Sequence, residues 1–405
     1  MLKLRSIKEV KNLRGKRVLL RSDINVPVGS DGKVTKGEDF KIVKSLPTIE
    51  YLLKKKAAII LTSHLGRPGG KTAGGVYDPK LKMDPVAKRL QYLLGKKAKV
   101  IKLDENDSPE VKAAAEKLKP GQILLLENIR FHPEEGKNSK PWGKRLASYA
   151  DLYVNDAFAS SHKQTSVHAV TYYLPSYAGL LMMQEVESVT KLIEKPVRPL
   201  VVIIGGAKIS TKVGVIKKML EVADEVILGG ALANNVFIAK GYKVGKSRVE
   251  RKYVPVIKKL KITDTHFNYP VDAMASTSLT GKGKNRVTAI AGNNVNPDEY
   301  ILDIGPDTIN LYSRIIASAK TIFFNGPMGL IEVPAFSKGT EGVVDAILKS
   351  KAKVLTGGGE TAMFLDKYAG KRLANKKNIY VSTGGGAMLE LIEQGTLDTI
   401  ERLRK

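Results

Sequence analysis

The sequence predicts an α/β protein built from two doubly wound, parallel-sheet (Rossmann-like) domains joined by an interdomain helix. Two observations carry this expectation. Short β-branched and apolar runs alternate along the whole chain with stretches of helical periodicity, the pattern of a parallel sheet covered by helices on both faces. The runs are also too numerous for one ordinary open sheet. A length of 405 residues leaves room for both domains, since a unit takes roughly 150 residues.

In the first half, strands are expected near 17–21, 57–62, 98–102, 122–127 and 152–155. In the second half they are expected near 200–204, 225–228, 301–304, 320–324, 352–356 and 378–382. The break falls after Leu174-Pro175-Ser176-Tyr177-Ala178-Gly179, where a helical pattern runs to Glu194 and meets Pro196 and Pro199. Proline ends the helix there, and a new domain begins. The resulting division is 1–180, a helix or hinge at 181–195, a second domain at 196–387, and a terminal segment at 388–405 expected to pack back on the first domain. No repeat of solenoid length and no low-complexity segment interrupts it.

Lys and Arg number 67 against 40 Asp and Glu, a formal net charge of +27, while hydrophobic and charged contents of 43% and 26% are ordinary for a globular protein. Such charge suits a polyanion, a membrane surface, small anionic substrates or a lysine-rich solvated surface of the kind heat-adapted proteins carry. Runs such as Lys54-Lys55-Lys56, Lys96-Lys97 and Lys376-Lys377 fall at helix ends and connections and select no function. The chain has no cysteine, which removes disulfides, thiolate metal sites and cysteine nucleophiles together. Residues 1–17 carry charges throughout, and no segment approaches the ~18 apolar residues of a membrane span. A cytoplasmic protein without membrane contact is expected.

Ligands of open α/β sheets bind beyond the carboxyl ends of the strands, so those residues carry the chemistry. In the second half, glycines follow strand after strand: Gly205-Gly206, Gly229-Gly230, Gly357-Gly358-Gly359 and Gly384-Gly385-Gly386. Glycine lets a phosphate approach a helix N-terminus, although tight strand-to-helix packing also asks for it. The repetition favours a nucleotide or polyphosphate cradle. In the first half the equivalent places hold Arg21-Ser22-Asp23-Ile24-Asn25, Ser63-His64-Leu65-Gly66-Arg67, Glu127-Asn128-Ile129-Arg130 and Asn155-Asp156-Ala157-Phe158, running on to His162-Lys163. Any one of these can be a capping group or a surface ion pair. Together they describe a small basic pocket, because like charges converge only around an anion.

Other motifs fail informatively. Gly357-Gly358-Gly359-Glu360-Thr361-Ala362 fits a loose dinucleotide pattern but lacks the acidic residue expected about 20 positions later, which demotes a dehydrogenase. Gly241 to Ser247, and likewise Gly66 to Thr72, fall one residue short of a P-loop. His162 and His168 lack the spacing of a zinc site. Lys208 and Lys212 stand four apart just beyond a glycine turn, which predicts two ammonium groups on one helical face, suited to phosphate.

The strand-end series, extended by Asn325-Gly326-Pro327 and Ser382-Thr383-Gly384-Gly385-Gly386-Ala387, resembles in order the motifs of the phosphoglycerate kinase family, from Arg21 to Ala387. The resemblance implies reversible phosphoryl transfer between 1,3-bisphosphoglycerate and ADP, giving 3-phosphoglycerate and MgATP, with closure of the two domains on each other. It implies that Asp23 and Asn25 hold the glycerate, with Ile24, Leu65, Gly66 and His162 beside it. Arg21, His64, Arg67, Arg130 and Lys163 would surround the non-transferred phosphate and the reacting carboxyl end. Arg21, Lys41, Lys208 and Gly385 would be catalytic. On the nucleotide side, Lys208 would reach the moving phosphoryl group and Lys212 the other phosphates, Gly229, Gly230 and Gly305 would border the adenosine, and Glu332 would bind the ribose. Gly206, Asn325, Pro327, Gly358, Gly359 and Thr361 complete that set, with Glu360 near Mg²⁺.

Three positions depart from the family pattern. Lys41 and Lys163 stand where arginine is common, which keeps the charge but loses the bidentate fork. Glu360 stands where aspartate is usual, one methylene longer. The attacking carboxylate of 3-phosphoglycerate is already ionised at neutral pH, so the implied reaction needs no general base, in keeping with a sequence that offers no catalytic triad. A nucleic-acid-binding protein is the rival that the charge suggests, but aromatics are only 6% of residues, too few for stacking platforms. Another nucleotide-dependent kinase is the second rival. The expected partners are therefore small phosphorylated molecules, with the protein a monomer or small homo-oligomer.

Overall fold

A computed structural model describes residues 2–70, 75–260 and 264–405. The chain forms two compact units, Met1–Glu187 with Thr396–Lys405, and Ser188–Gly395. The first unit holds β1 (Arg17–Ser22), β2 (Ala58–Thr62), β3 (Lys99–Lys102), β4 (Gln122–Leu125), β5 (Leu152–Asp156) and β6 (Ser176–Ala178). They form one sheet in the order β3-β4-β2-β1-β5-β6, with every pairing parallel. Alternate side chains feed two cores, as a sheet covered on both faces requires. Val18, Leu20, Ile59, Leu61, Ile123 and Leu125 pack with Ile42, Ile49 and Leu52 of the helix Phe40–Lys54 and with Val86 and Leu90 of the helix Asp84–Leu94. Leu19, Ile60, Leu124 and Tyr153 point the other way, onto Trp142 and Leu146 of the helix Lys140–Ala147.

The second unit begins with β7 (Leu200–Ile204), β8 (Glu225–Leu228) and β9 (Phe267–Asn268), continues through β10 (Asp272–Ser276), β11 (Asn285–Ala289) and β12 (Tyr300–Ile304), and ends with β13 (Thr321–Asn325), β14 (Lys353–Gly357) and β15 (Ile379–Ser382). Its main sheet is parallel, in the order β15-β14-β13-β7-β8-β9. Successive connections leave β7 toward β8 and leave β13 toward β14, so the direction of winding reverses between β7 and β13. In the first unit it reverses between β1 and β5. A crevice opens at such a reversal, beyond the carboxyl ends of the strands.

The sequence reading needs two corrections. The run 301–304 is a strand but lies outside the doubly wound sheet: β12 joins a separate antiparallel sheet in the order β11-β10-β12. The segment 174–179, for which no strand is expected, contains β6, which pairs with β5 and forms one edge of the first sheet. β6 has only three residues, and β12, Tyr300-Ile301-Leu302-Asp303-Ile304, is interrupted by Asp303, so neither carries the continuous apolar run of a central parallel strand. The helix Leu180–Glu194 follows at once, and the unit boundary falls inside it. The terminal segment divides: the helix Gly386–Gln394 stays with the second unit, and Thr396–Lys405 closes the first, where Leu4 pairs with Arg404. No described helix is long and apolar enough to cross a membrane.

The small sheet is tied to the helix Pro306–Ser318 by one carboxylate. Asp272 of β10 accepts hydrogen bonds from Asp307 N at 3.1 Å, Thr308 N at 2.8 Å and Thr308 Oγ1 at 2.6 Å, capping the helix from another element. A Cβ on Gly305, which precedes the helix, would collide with this carboxylate. Asp272→Ala should cost on the order of 2 kcal/mol, the upper end for a lost N-cap. An unchanged melting temperature for the variant in differential scanning calorimetry would show that the cap contributes nothing.

Candidate functional site

In the first unit the polar residues expected from sequence gather at the carboxyl ends of β1, β2, β4 and β5. Arg21 is fully buried; its Nε donates to Ser166 Oγ at 2.9 Å, Nη1 donates to the Ser22 carbonyl, and Nη2 lies 3.3 Å from His64 Nδ1. Guanidinium has only donors, so Nδ1 accepts and the proton of a neutral His64 sits on Nε2. Burial, backed by Arg21, Arg130 and Lys41 against the opposing pull of Asp23, holds the His64 pKa well below its usual value. Asp23 is buried and accepts from Lys41 Nζ at 2.8 Å and from Asn25 N at 3.2 Å. Burial works to raise its pKa, but the charges of Lys41 and Arg21 outweigh burial and keep it ionised below the ordinary carboxylate range.

Asn128 organises the neighbouring loops. Its Oδ1 accepts from Leu65 N at 3.1 Å and Arg130 N at 3.2 Å, while Nδ2 donates to the carbonyls of Leu65 at 2.7 Å and Leu81 at 2.9 Å. Asn25 Oδ1 accepts from Gly66 N at 2.9 Å, Ser63 Oγ accepts from Ile24 N at 3.1 Å, and Arg130 Nη1 donates to the Gly66 carbonyl at 2.8 Å. Gly66 sits at φ +61°, a left-handed turn that glycine adopts without strain. Besides its own burial, Arg130 experiences the repulsion of Arg21 and Arg67, so these cations do converge. Arg67 itself is exposed. Arg21, Lys41, Arg67 and Arg130 outnumber the carboxylates Asp23 and Glu135 among them, and an anion is what the set lacks.

His162 and Lys163 are both exposed, and Lys163 forms a 2.8 Å ion pair with Asp398 of the terminal segment. Their loop is held from that segment, where Thr399 Oγ1 donates to the Ser161 carbonyl at 3.3 Å. Among the described residues, the group that could hold a metal ion is Asp84, Asp104 and Glu127, which includes neither His162 nor His168. A lysine already fills it: Lys102 Nζ reaches Glu127 at 2.7 Å, Asp84 at 3.0 Å and Asp104 at closer range.

In the second unit the glycine turns stack against one another at the reversal between β7 and β13. Gly205 N donates to Asn325 O at 2.9 Å, Gly206 N to Pro327 O at 2.7 Å and Gly230 N to Met328 O at 2.8 Å. A Cβ on Gly230 would stand 2.5 Å from Gly206 N, so backbone packing demands glycine here, independently of any ligand. Lys212 Nζ donates to the carbonyls of Gly205 at 2.6 Å and Asn325 at 3.2 Å. Burial pushes its pKa down to about 8, against the attraction of Glu360. The two lysines do not share a helical face: Lys208 is extended and exposed, a single 3₁₀ turn covers Ile209–Thr211, and the helix starts at Val213. The loop is polar enough to read as an amphipathic turn, but the close-packed glycines before it delay the helix.

Beside this turn lies a cavity of about 360 Å³, within the range of small-molecule sites. Of the residues expected from sequence, Gly206, Gly230, Pro327, Glu332 and Glu360 line it. Gly229, Asn325, Gly358, Gly359 and Thr361 lie behind the wall or at its helix: Thr361 Oγ1 accepts from Gly326 N at 2.8 Å, and Asn325 Nδ2 donates to the Gly357 carbonyl. Gly359 opens the helix Gly359–Leu373, with Gly358 at its N-cap at φ +103°. Gly385, at φ +48°, is the N-cap of the helix Gly386–Gln394. Gly305 is outside the wall and serves the Asp272 cap.

Leu279, Tyr300, Ile301, Leu302 and Leu330, which also line the cavity, were not anticipated from sequence as site residues. Lys246, Ser247 and Arg248 also line the cavity. The Gly241–Ser247 segment thus contributes to the site, although Ser247 Oγ accepts from Ile301 N at 2.8 Å rather than cradling phosphate. The Gly66–Thr72 near-match runs partly outside the described residues.

The phosphoglycerate kinase family model matches residues 7–395. A phosphoglycerate kinase of Moorella thermoacetica is 42% identical over 397 residues, covering 96% of this chain and 97% of that protein. One of Geobacter metallireducens is 41% identical, with 99% of each covered. Among solved structures, the phosphoglycerate kinase of Coxiella burnetii superposes with a TM-score of 0.83 at 35% identity, covering 99% of both chains. That of Pyrococcus horikoshii gives 0.83 at 30% identity, covering 99% and 98%.

One buried carboxyl behind the cavity makes a pH-dependent prediction. Asp303 follows the wall residue Leu302 and accepts from Gly339 N at 2.7 Å and Ile304 N at 2.9 Å. Burial raises its pKa from 3.8 to about 7, partly opposed by these bonds and assisted by Glu341. Across that window the folded protein binds the proton and the unfolded chain does not, so this carboxyl makes stability fall as pH rises. Asp303→Asn should flatten the fall in melting temperature between about pH 4 and pH 7. An equal fall in both proteins would exclude Asp303 as its source.

Proposed function

The chain belongs to the phosphoglycerate kinase family, and we propose that its two strand-end sets divide the family's reaction, the first unit holding the phosphorylated acid and the second the nucleotide. The enzyme transfers a phosphoryl group reversibly between 1,3-bisphosphoglycerate and ADP, giving 3-phosphoglycerate and ATP. The observation that carries the division is the contrast between the two crevices. One is crowded with arginine, lysine and a neutral histidine. The other is a cavity of about 360 Å³ lined by the glycine backbone of Gly206 and Gly230 together with Leu279, Tyr300 and Leu330.

In the direction that consumes ATP, the carboxylate oxygen of 3-phosphoglycerate attacks the γ-phosphorus and the bond to the β,γ-bridging oxygen breaks, with no proton transferred. Catalysis is then alignment and charge stabilisation. Asp23 and Asn25 take the glycerate hydroxyl and carboxyl end, with Ile24, Leu65 and Gly66 shaping that wall. Arg21, Arg67 and Arg130 take the phosphate, and His64 offers its Nε2 proton as a neutral donor. Lys41 fixes Asp23 and adds charge near the reacting end. We assign His162 and Lys163 to the rim, with Lys163 exchanging Asp398 for substrate. Lys208, exposed on its loop, follows the moving phosphoryl group, and the glycine turn at Gly385 presents backbone donors to it. Lys212, confined with its lowered pKa, gains most from a phosphate partner. Glu332 takes the ribose, and the carboxyl ends of β8 and β13 take the base and phosphates.

Glu360 suits Mg²⁺: its carboxylate lies exposed on the cavity wall, and no hydrogen bond or ion pair of the described residues engages it. It would hold the ion together with nucleotide phosphates and water. Bound there, Mg²⁺ would neutralise charge on the β- and γ-phosphates. Direct transfer between two anions held on separate units also requires the units to close, with the helix around 181–195 as the hinge. We place the enzyme in the cytoplasm, acting on small anions rather than nucleic acid, as a monomer or small homo-oligomer.

The test is a coupled assay with 3-phosphoglycerate, ATP and Mg²⁺, in which turnover that stops on chelation is expected, and absence of turnover with active coupling enzymes would refute the reading. Lys212→Ala should weaken ADP binding by an order of magnitude or more and leave 3-phosphoglycerate binding unchanged, with Arg67→Ala doing the reverse; calorimetric titration with each ligand distinguishes them. Lys41→Arg should retain or raise turnover, whereas severe loss would mean that lysine has a role arginine cannot fill.

A further inference from the structure

Arg21 is enclosed at 0% exposure, and a buried guanidinium requires both acceptors and a countercharge. Asp23, the nearer carboxylate in sequence, is already held by Lys41. The remaining carboxylate that acts on Arg21 is Glu135, also at 0% exposure and reached from a different loop. Among the described residues no hydrogen bond or ion pair joins it to Arg21 directly. Its Oε1 accepts from Ser166 Oγ at 2.6 Å and its Oε2 from Ser166 N at 3.0 Å, a two-point grip on one residue. Ser166 Oγ in turn accepts from Arg21 Nε at 2.9 Å.

A hydroxyl has one proton and two lone pairs. With the Ser166 proton drawn to Glu135, a lone pair is left facing Arg21 Nε, so the carboxylate dictates the polarity of the hydroxyl. The surroundings leave Ser166 little freedom. Tyr153 OH, from β5, donates to the Ser166 carbonyl at 2.8 Å, and Thr165 N donates to the Glu135 carbonyl at 3.0 Å. On its other side, Arg21 is fixed by Ser22 O and His64 Nδ1. One turn of the guanidinium would displace His64 as well.

We propose that Glu135 is a positioning residue for the reaction, acting through the Ser166 hydroxyl to fix the guanidinium of Arg21 and to balance its charge. The relay Glu135–Ser166–Arg21 rests on the reading of Arg21 as a substrate-binding residue. Groups that orient metal ligands from behind change affinity or activity by about 10- to 100-fold when removed, and a loss of the same order is expected for this relay.

The test is steady-state kinetics on the full-length enzyme with Ser166→Ala, Ser166→Thr, Glu135→Gln, Arg21→Gln and the double variant Arg21→Gln/Ser166→Ala, each with a melting temperature. Ser166→Ala and Glu135→Gln should raise KM for 3-phosphoglycerate by about tenfold or more and leave KM for ATP within twofold. Ser166→Thr, which keeps the hydroxyl, should restore most of the loss. The double variant should be no worse than Arg21→Gln alone, because the relay has nothing left to orient. If Glu135→Gln does not fold, the Ser166 series carries the test unaided. A folded Ser166→Ala with unchanged KM for 3-phosphoglycerate, equal losses for both substrates, or additive losses in the double variant would each overturn the proposal. If Arg21→Gln itself leaves KM for 3-phosphoglycerate unchanged, the assignment of Arg21 fails and the proposal with it, a pattern distinct from failure of the relay alone.

Discussion

The carboxyl ends of β1, β2, β4 and β5 confine more positive charge than the protein around them neutralises. Arg21 has no exposed surface, and Arg130 feels both Arg21 and Arg67. The structure tolerates this crowding through a few fixed arrangements. His64 is held neutral, Lys41 is committed to Asp23, and Asn128 fixes the loops bearing Leu65 and Arg130 with each of its polar atoms. What remains is an unmet demand for an anion, on which the proposed binding of the phosphorylated acid in that unit rests.

The second unit meets a related constraint with backbone. Its turns approach so closely that Gly205, Gly206 and Gly230 hydrogen-bond to the Asn325–Met328 segment directly, and a side chain at Gly230 would strike Gly206. The glycines bring main chain to the mouth of the cavity, and Lys212 is threaded beneath them onto two carbonyls. Its lowered pKa measures how incompletely those carbonyls replace water. Global charge contributes background attraction for anions, while the proposed selectivity rests on these two local arrangements.

Much of this was legible in the sequence because doubly wound folds concentrate their chemistry at strand ends. Runs such as Val18-Leu19-Leu20 and Leu200 to Ile204 are apolar on both faces, so the strand is evident and the next residues are marked as site candidates. The antiparallel sheet was less legible: β11 is largely exposed, with the sequence Asn285-Arg286-Val287-Thr288-Ala289. Of the cavity lining from Leu279 to Leu302, only the strand at 301–304 gave a signal, and nothing marked it as part of a separate sheet. Glu135 and Ser166 were invisible for another reason. Each is a single polar residue in a loop, and only the fold shows that a buried guanidinium lies at the end of their chain of bonds. Lys208 was misplaced onto a helix because polar spacing reads alike in a 3₁₀ turn and a helical one.

The proposed mechanism requires the two sets to be separate, one for the phosphorylated acid and one for the nucleotide. Amide hydrogen exchange, measured with each ligand alone, tests it most directly. Addition of 3-phosphoglycerate should slow exchange in the segments 21–25, 63–67 and 128–132 and leave 205–212, 326–332 and 357–361 unchanged. MgADP should give the opposite pattern. Protection of the second unit's glycine turns by 3-phosphoglycerate alone, with the arginine-bearing loops unaffected, would contradict the division of labour on which the mechanism depends.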